Sequence, residues 1–388
     1  MIMEWKTLKL GELLDYKNGL WAGKKGGFVR AKVIRMTEMK DNGTYNLSTA
    51  KELQVEERKL ETRKVIPNSI LLERSGGGEN KPVGRVVIFG DDVLNDVYSF
   101  SNFTTLLIPK TDLVYPKYLF YFVYFFHLSG KTKNLQKAVT GIRNLEFAKY
   151  LEQDVPMPFK NGKPDLVEQK RIADDLDKIQ LLQKCTDTDI EKSENLFSSI
   201  ARDFFANKKA GYKKIKLGDE CEVIKGKSPT LKTPEGAYPF VVTARKRRSA
   251  NTFQFDGEAV CIPLVSSTGH GHASLHRIHY EKGKFALANI LAGVVPKNKN
   301  KLTTKYLYYY LSFYRDELLV PLMRGVANVT TPIQKLNDVM IDVPEITEQK
   351  RFVSTLEEAE KLKHSFQNRQ ILVQQYLKSS LNIAFSET

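Results

Sequence analysis

The chain has 388 residues, 41% of them hydrophobic, with a formal net charge of +15 and a pI near 9.4. The length allows two domains or more, the apolar content excludes a disordered polymer, and the basic excess points to a polyanion, nucleic acid first among them. The cysteines, Cys185, Cys221 and Cys261, are widely spaced with no C-x-x-C pair, which argues against a thiolate zinc site and fits a reducing cytoplasm. MIMEWKTLKLGELL at the start has no apolar leader, and the most apolar run, YLFYFVYFFHL (118–128), is too short to span a bilayer. A soluble cytoplasmic protein without membrane contact is expected.

In chain order, WKTLKLGELLDYKNG (5–19) reads as strand or turn sequence. Lys24, Lys25, Arg30 and Lys32 follow, a basic group suited to phosphates. ILLERSGGGENKPVGRVVIF (70–89) reads strand, glycine turn, strand. Arg74, Ser75, Asn80 and Lys81 flank that turn. A short amphipathic helix with aromatics on one face is predicted around 116–128. Arg143 and Asn144 precede QDVPMP (153–158). Residues 166–206 contain neither glycine nor proline and predict one long helix, with Asp165 as N-cap and Glu168 at N3 of a capping box. Its apolar positions advance by fours and threes through Ile172, Leu176, Ile179, Ile190, Phe197, Ile200 and Phe204, with Gln183, Thr186 and Ser193 on the same seam. Heptads sustained this far predict a coiled coil, about 60 Å long at about 1.5 Å per residue.

The second half begins YKKIKLGDECEVIKG (212–226). Arg245, Lys246, Arg247 and Arg248 form the densest basic run of the chain. AVCIPLVSSTGHGHASLHRIHY (259–280) again reads strand, turn, strand, with Ser267, Thr268 and His270 at the turn. A helix is predicted around 304–319. Arg324 and Asn328 precede IDVPEI (341–346), and 346–385 predicts a second long helix with a seam of Phe352, Leu356, Ala359, Phe366, Val373 and Leu377, interrupted by Lys363 and Gln370. Arginine and asparagine are the side chains that grip guanine and adenine edges in bidentate fashion, so those beside the turns and before the V-P segments are candidate base readers.

The chain is written twice. K-L-G-E at 9–12 matches K-L-G-D at 216–219; PKYLFYF (116–122) matches TKYLYYY (304–310); QDVPMP matches IDVPEI; VEQKRIADDL (167–176) matches TEQKRFVSTL (347–356), all in the same order. The copies agree at their ends and diverge in their middles. The repeat also disposes of a near-motif. CEVIKGKS (221–228) differs from a phosphate-binding loop only at Cys221, but the first copy aligns Leu20 and Trp21 with Lys227 and Ser228, so the repeated element is not a nucleotide loop. PDLVEQK (164–170) faintly resembles a nuclease signature, yet capping explains both acids. His270, His272, His276 and His279 cluster without a counterpart in the first copy, which favours a polar DNA-facing segment over a metal site. No [NDS]-P-P-[YFW] methyltransferase motif is present.

This doubled set, with W/Y-K-x-x-K-L-G openings at 5–11 and 212–218, K-Y-L-x-Y segments and V-P…E-Q-K entries to each long helix, resembles the DNA-specificity (S) subunits of type I restriction-modification enzymes over the whole chain. The resemblance implies an α+β fold of two pseudo-symmetric α/β target-recognition globules separated by two long antiparallel coiled-coil helices. The corresponding boundaries are 1–164, 165–207, 208–345 and 346–388. It implies that each globule reads one half of a split site in double-stranded DNA. The helices act as a ruler and as a platform for two modification subunits. Those partners would use S-adenosylmethionine, and restriction subunits would use ATP and Mg²⁺; this chain would carry no catalytic residue, metal or cofactor. The alternatives are a nuclease or ATPase acting on DNA, a specificity subunit of a related type II (IIB/IIG-like) system, and a basic coiled-coil interaction protein.

Overall fold

The computed structural model describes residues 4–20, 27–77, 81–139, 141–206, 212–268, 271–326 and 328–386. They belong to two compact units, one formed by Met1–Asp187 with Asn368–Thr388 and the other by Thr188–Gln367.

The first unit contains strands β1 (Glu4–Lys9), β2 (Leu14–Asn18), β3 (Phe28–Ile34), β4 (Lys51–Glu56), β5 (Ile70–Glu73), β6 (Ser75–Gly77), β7 (Val86–Ile88), β8 (Tyr98–Phe100), β9 (Thr104–Pro109), β10 (Gln136–Val139), β11 (Ile142–Leu145), β12 (Asp154–Lys160) and β13 (Lys163–Pro164), with helices α1 (Glu57–Thr62), α2 (Pro116–Leu128) and α3 (Phe147–Leu151). Its central sheet is antiparallel in the order β2-β9-β5-β7. Ile70 stands opposite Leu107 and Leu71 opposite Leu106. Ile70 and Leu107 enter one core while Leu71 and Leu106 enter another, so both faces are covered. That double burial is why these strands read as unbroken apolar runs rather than as alternation. The unit also holds three smaller sheets, β4-β3-β8, β10-β11-β6 and β1-β12-β13.

Helix α2 departs from the one-faced amphipathic helix expected. Every residue from Tyr118 to Phe126 is buried, because sheet residues such as Val86 and Leu107 lie in the same core as Leu176 and Phe385 from the long helices. A helix apolar all round is a helix buried all round, and each of its aromatic side chains contributes roughly 1.5–3 kcal/mol by leaving water.

The second unit contains β14 (Lys213–Lys216), β15 (Cys221–Lys225), β16 (Tyr238–Val241), β17 (Arg248–Ala250), β18 (Phe255–Pro263), β19 (His279–Leu287), β20 (Leu291–Pro296) and β21 (Met340–Val343). A six-stranded sheet has the order β15-β20-β18-β19-β16-β17. Val260 and Ile262 face one core, Ala259 and Cys261 the other. After the long helix α4 (Leu166–Ala206) come α5 (Leu217–Glu220), α6 (Thr304–Phe313), α7 (Arg315–Leu318) and α8 (Ile333–Asn337). The single helix expected over 304–319 is thus broken at Tyr314, whose backbone leaves helical geometry, and a short 3-10 turn with Pro321 follows.

Helices α4 and α9 (Ile346–Phe385) contribute to both units. Asp165 caps α4 by accepting from the amides of Val167 (3.1 Å) and Glu168 (3.2 Å), while Glu168 turns to Arg171 at 2.6 Å. In the first unit Ile172, Leu176 and Ile179 share a core with Val373 and Leu377, and Gln370 donates to Asp187 at 2.6 Å. In the second, the Phe204 ring stacks on Phe352 at 3.9 Å, Phe197, Ile200 and Leu356 join the same core, and Lys363 pairs with Glu194 at 2.7 Å. Within each unit the two helix segments therefore run antiparallel. Ile190 and Phe366 are half-buried.

The repeated sequence blocks meet each other in space. Buried Gln169 accepts from the Tyr115 amide at 2.8 Å and donates to the Leu113 carbonyl at 3.4 Å. Buried Gln349 accepts from the Thr303 amide at 2.9 Å and donates to the Lys301 carbonyl at 2.7 Å. Lys117 pairs with Asp177, and Lys305 pairs with Glu357. Tyr121 donates to Gln180 at 3.2 Å, and Tyr309 donates to Glu360 at 3.1 Å. The E-Q-K and K-Y-L-x-Y blocks are therefore one clamp, built twice.

Candidate nucleic-acid interface

In the first unit the chain passes from β5 to β6 at Arg74, and Phe103 O accepts from the Arg74 and Ser75 amides at 2.9 and 3.2 Å. The Leu145 amide donates back to Arg74 O at 2.8 Å, and Asn144 of β11 pairs with Ser75 of β6. Four candidates from two distant segments, Arg74, Ser75, Arg143 and Asn144, are thereby brought together. Ser75 Oγ donates to Asn144 Oδ1. The Arg74 guanidinium lies 4.5 Å from the Phe147 ring centroid and donates to Asn18 Oδ1 at 2.9 Å. Burial draws its pKa below the usual arginine value. Lys81 is exposed and lines a cavity of about 530 Å³ with Glu73, Arg85 and His127. There Arg85 grips Glu73 through two bonds of 2.9 Å. Arg30, on β3, is exposed and stands 3.2 Å from Glu52; Lys32 pairs with Asp96 at 2.5 Å. Lys24, Lys25 and Asn80 lie outside the described residues.

The second unit repeats the juxtaposition with other side chains. Beyond β18, Val265 bridges to Thr330, and the Ser266 amide donates to Val329 O at 2.9 Å. Arg324 and Thr330 exchange backbone bonds of 2.8 Å. Ser267 and Thr268 thus stand beside the Arg324–Asn328 turn, and all four are exposed. Ser267 Oγ accepts from the His276 amide at 3.0 Å, and Arg324 donates to Pro321 O at 2.8 Å. His270 lies outside the described residues.

The basic run divides. Arg245 and Lys246 are exposed. Arg247 turns inward, with Nε 2.5 Å from Glu281, Nη1 3.1 Å from His279 Nδ1 and Nη2 donating to Tyr280 O at 3.4 Å. Arg248 donates to Thr230 O and lies 5.9 Å from the Phe240 ring. Sequence offers no sign of this division, since consecutive cations look alike before the loop is folded. His279 is buried on β19 opposite Cys261, and burial, then the Arg247 and Arg277 charges, pushes its pKa down to about 4. It is therefore a neutral core histidine, whereas His272 and His276 are exposed. Among the described residues no group of three or more His, Cys, Asp or Glu converges as a metal site.

The near-motif at 221–228 is strand β15 followed by Gly226, and the chain continues as turn and bridge. A phosphate loop needs a helix N-terminus there. Among the described residues no helix is long and apolar enough to cross a membrane.

The family model described as the type I restriction modification DNA specificity domain matches residues 2–192 and again 209–374. Among solved structures, the chain is similar to the type I restriction-modification system S subunit from M. genitalium, with 14% identity and a TM-score of 0.63, over 100% of this chain and 97% of that one. It is also similar to a chain from a structure on complex assembly and conformational transition of the type I R-M system, with 15% identity and a TM-score of 0.59, over 98% of this chain and 97% of that one. At these identities the likeness is one of fold. No curated protein sequence matches. With the family match covering most of the chain in two successive stretches, the protein belongs to the type I restriction modification DNA specificity domain family and carries that domain twice.

Proposed function

We propose that the chain is the sequence-specific DNA-binding subunit of a type I restriction-modification complex, each of its domains reading one half of a bipartite target in double-stranded DNA. The observation that carries this reading is the recurrence, in both units, of one juxtaposition. The turn after a central strand lies against the segment preceding the V-P block, and arginine, asparagine and hydroxyl side chains gather there. Those residue types read base edges, and the surrounding blocks that match between copies hold the scaffold. The charge of +15 supplies the sequence-independent attraction to phosphates.

The chemistry belongs to partners. Two modification subunits would bring S-adenosylmethionine, and restriction subunits would bring ATP and Mg²⁺. The long helices are the docking platform for the modification subunits and set the gap between half-sites. Leu181, Leu182, Ile371, Leu372, Tyr376 and Ile383 are each more than half exposed there, as an interface awaiting a partner requires. Cytoplasmic action suits the free thiols of Cys185, Cys221 and Cys261.

Exchange of residues 20–150 for the same region of another family member tests the modular reading. Methylation-site mapping should show one half of the target changed and the other kept. A change in both halves would contradict it, as would DNA cleavage or ATP hydrolysis by the purified chain alone.

A further inference from the structure

Resting on the reading of the chain as a DNA-specificity subunit, we infer that Asn144 reads an adenine in the half-site of the first unit and that Ser75 is its positioning residue. Asn144 sits on β11, the middle strand between β10 and β6, at the base of the β10–β11 hairpin that turns through Gly141. Beyond the pairing with β6 the hairpin continues as two strands alone, and a two-stranded ribbon is one of the elements the major groove admits. Lys137 and Ala138 on one strand and Ile142 on the other are exposed, so this ribbon presents surface to a partner. Its root is fixed. Leu145 N is bonded to Arg74 O, and the Arg74 side chain is held between Asn18 and the Phe147 ring. Arg74 thus gives a donor to Asn18 and its guanidinium to the Phe147 ring, and serves as the ribbon's anchor.

Asn144 differs from its neighbours in what it leaves over. Its Oδ1 accepts from Ser75 Oγ, which ties the side chain to the neighbouring strand. Its Nδ2 has no acceptor among the described residues, and the side chain is half-buried. What remains available is one donor group and the second lone pair of Oδ1, side by side. Adenine presents the complement in the major groove, N7 as acceptor and N6 as donor. Guanine presents two acceptors, thymine an acceptor and a methyl group, cytosine a donor alone. An amide free to turn over could exchange its donor and acceptor. The bond from Ser75 to Oδ1 holds the amide in place with Nδ2 outward, and a side chain held in advance discriminates better than one ordered on binding.

The test uses the full-length chain with its modification subunits, selecting bound sequences from a random duplex pool. Wild type should prefer adenine at one position of one half-site by roughly 10-fold or more. Asn144→Asp, an acceptor only, should move that preference to cytosine. Ser75→Ala should flatten it to within about twofold, and Ser75→Thr, which keeps the hydroxyl, should retain it. The half-site read by the second unit should be unchanged throughout, which certifies that the variants are folded. An unchanged adenine preference in Asn144→Asp overturns the inference, as does a uniform loss over all sequences. If Asn144→Asp does not fold, the Ser75 pair decides, and equal behaviour of Ser75→Ala and Ser75→Thr overturns the tether. A wild-type complex with no preferred sequence sinks the specificity-subunit reading itself.

Discussion

Gly226 crosses the carbonyl of Ala288 so closely that a β-carbon at 226 would stand 2.0 Å from its oxygen, and Gly19 stands in the same relation to Ser101 at 1.9 Å. Both crossings sit beside parallel bridges, Ser228 to Ala288 and Leu20 to Ser101. The glycine of CEVIKGKS is therefore demanded by a backbone crossing. Gly226→Ala should destabilise the second unit by about 2 kcal/mol or more, since the obstacle is main chain. Lys227→Ala should stay within about 0.5 kcal/mol of wild type in denaturant titrations. Calorimetric titration with ATP should show no saturable binding to wild type or variant.

The inward turn of Arg247 separates two effects that a basic run usually confounds. Replacing exposed Arg245 and Lys246 by Ala should weaken DNA binding alike for all sequences. For every phosphate left unneutralised, the log–log salt dependence should flatten by about 0.9. Arg247→Ala should act on the fold instead, because Glu281 would be left without its guanidinium at 2.5 Å. A loss of about 1–3 kcal/mol in thermal or chemical unfolding is expected. Fluorescence anisotropy across a salt series and unfolding curves check the two arms.

His279 supplies a pH dependence of stability. Its pKa is about 4 in the folded chain and about 6.5 when unfolded, so on acidification the unfolded state takes up the proton first. Its contribution is complete above about pH 6.5 and is lost as pH falls towards 4, at most about 3 kcal/mol. Burial also lowers the pKa of His127, which adds loss of the same sign. Comparing wild type with His279→Gln at pH 7.5 and 4.5 should show a shallower decline for the variant.

Phe385, in the last turn of α9, packs its ring 5.1 Å from Tyr118 and 5.8 Å from Phe122. Phe385→Ala should cost about 3–5 kcal/mol, as emptying a well-packed aromatic site does. The cost should fall on the first unit. Hydrogen exchange should accelerate at the α2 amides and leave β18 unchanged.

The doubled plan, both long helices and the Asp165 cap were legible because each has a local signature: ordered matching blocks, an uninterrupted period, a capping residue. Other features had none. A run of aromatics such as 118–126 has the same letters whether one face or every face is covered, so the full burial of α2 emerged only from the packing of its neighbours. The seam read from heptads passed through Phe204 and missed Phe205, which is more deeply buried, between Tyr310, Phe313 and Phe352. Ser75 and Asn144 are 69 positions apart, and nothing local in either segment announces their bond. Direction was the missing information at Arg247 as well, since residue type reports charge without reporting where the side chain goes.

The core that holds Phe385 also has a history in time. The second unit is drawn from one unbroken stretch, Thr188–Gln367, whereas the first needs Asn368–Thr388 in addition to Met1–Asp187. On a ribosome adding about 5–20 residues per second, the roughly 200 residues between Asp187 and Phe385 take about 10–40 s. Throughout that interval Tyr118, Phe122 and Phe125 lack Phe385, whose ring packs against all three. The part synthesised first is thus the part completed last, and during that wait its aromatic surface is open to aggregation or to a chaperone.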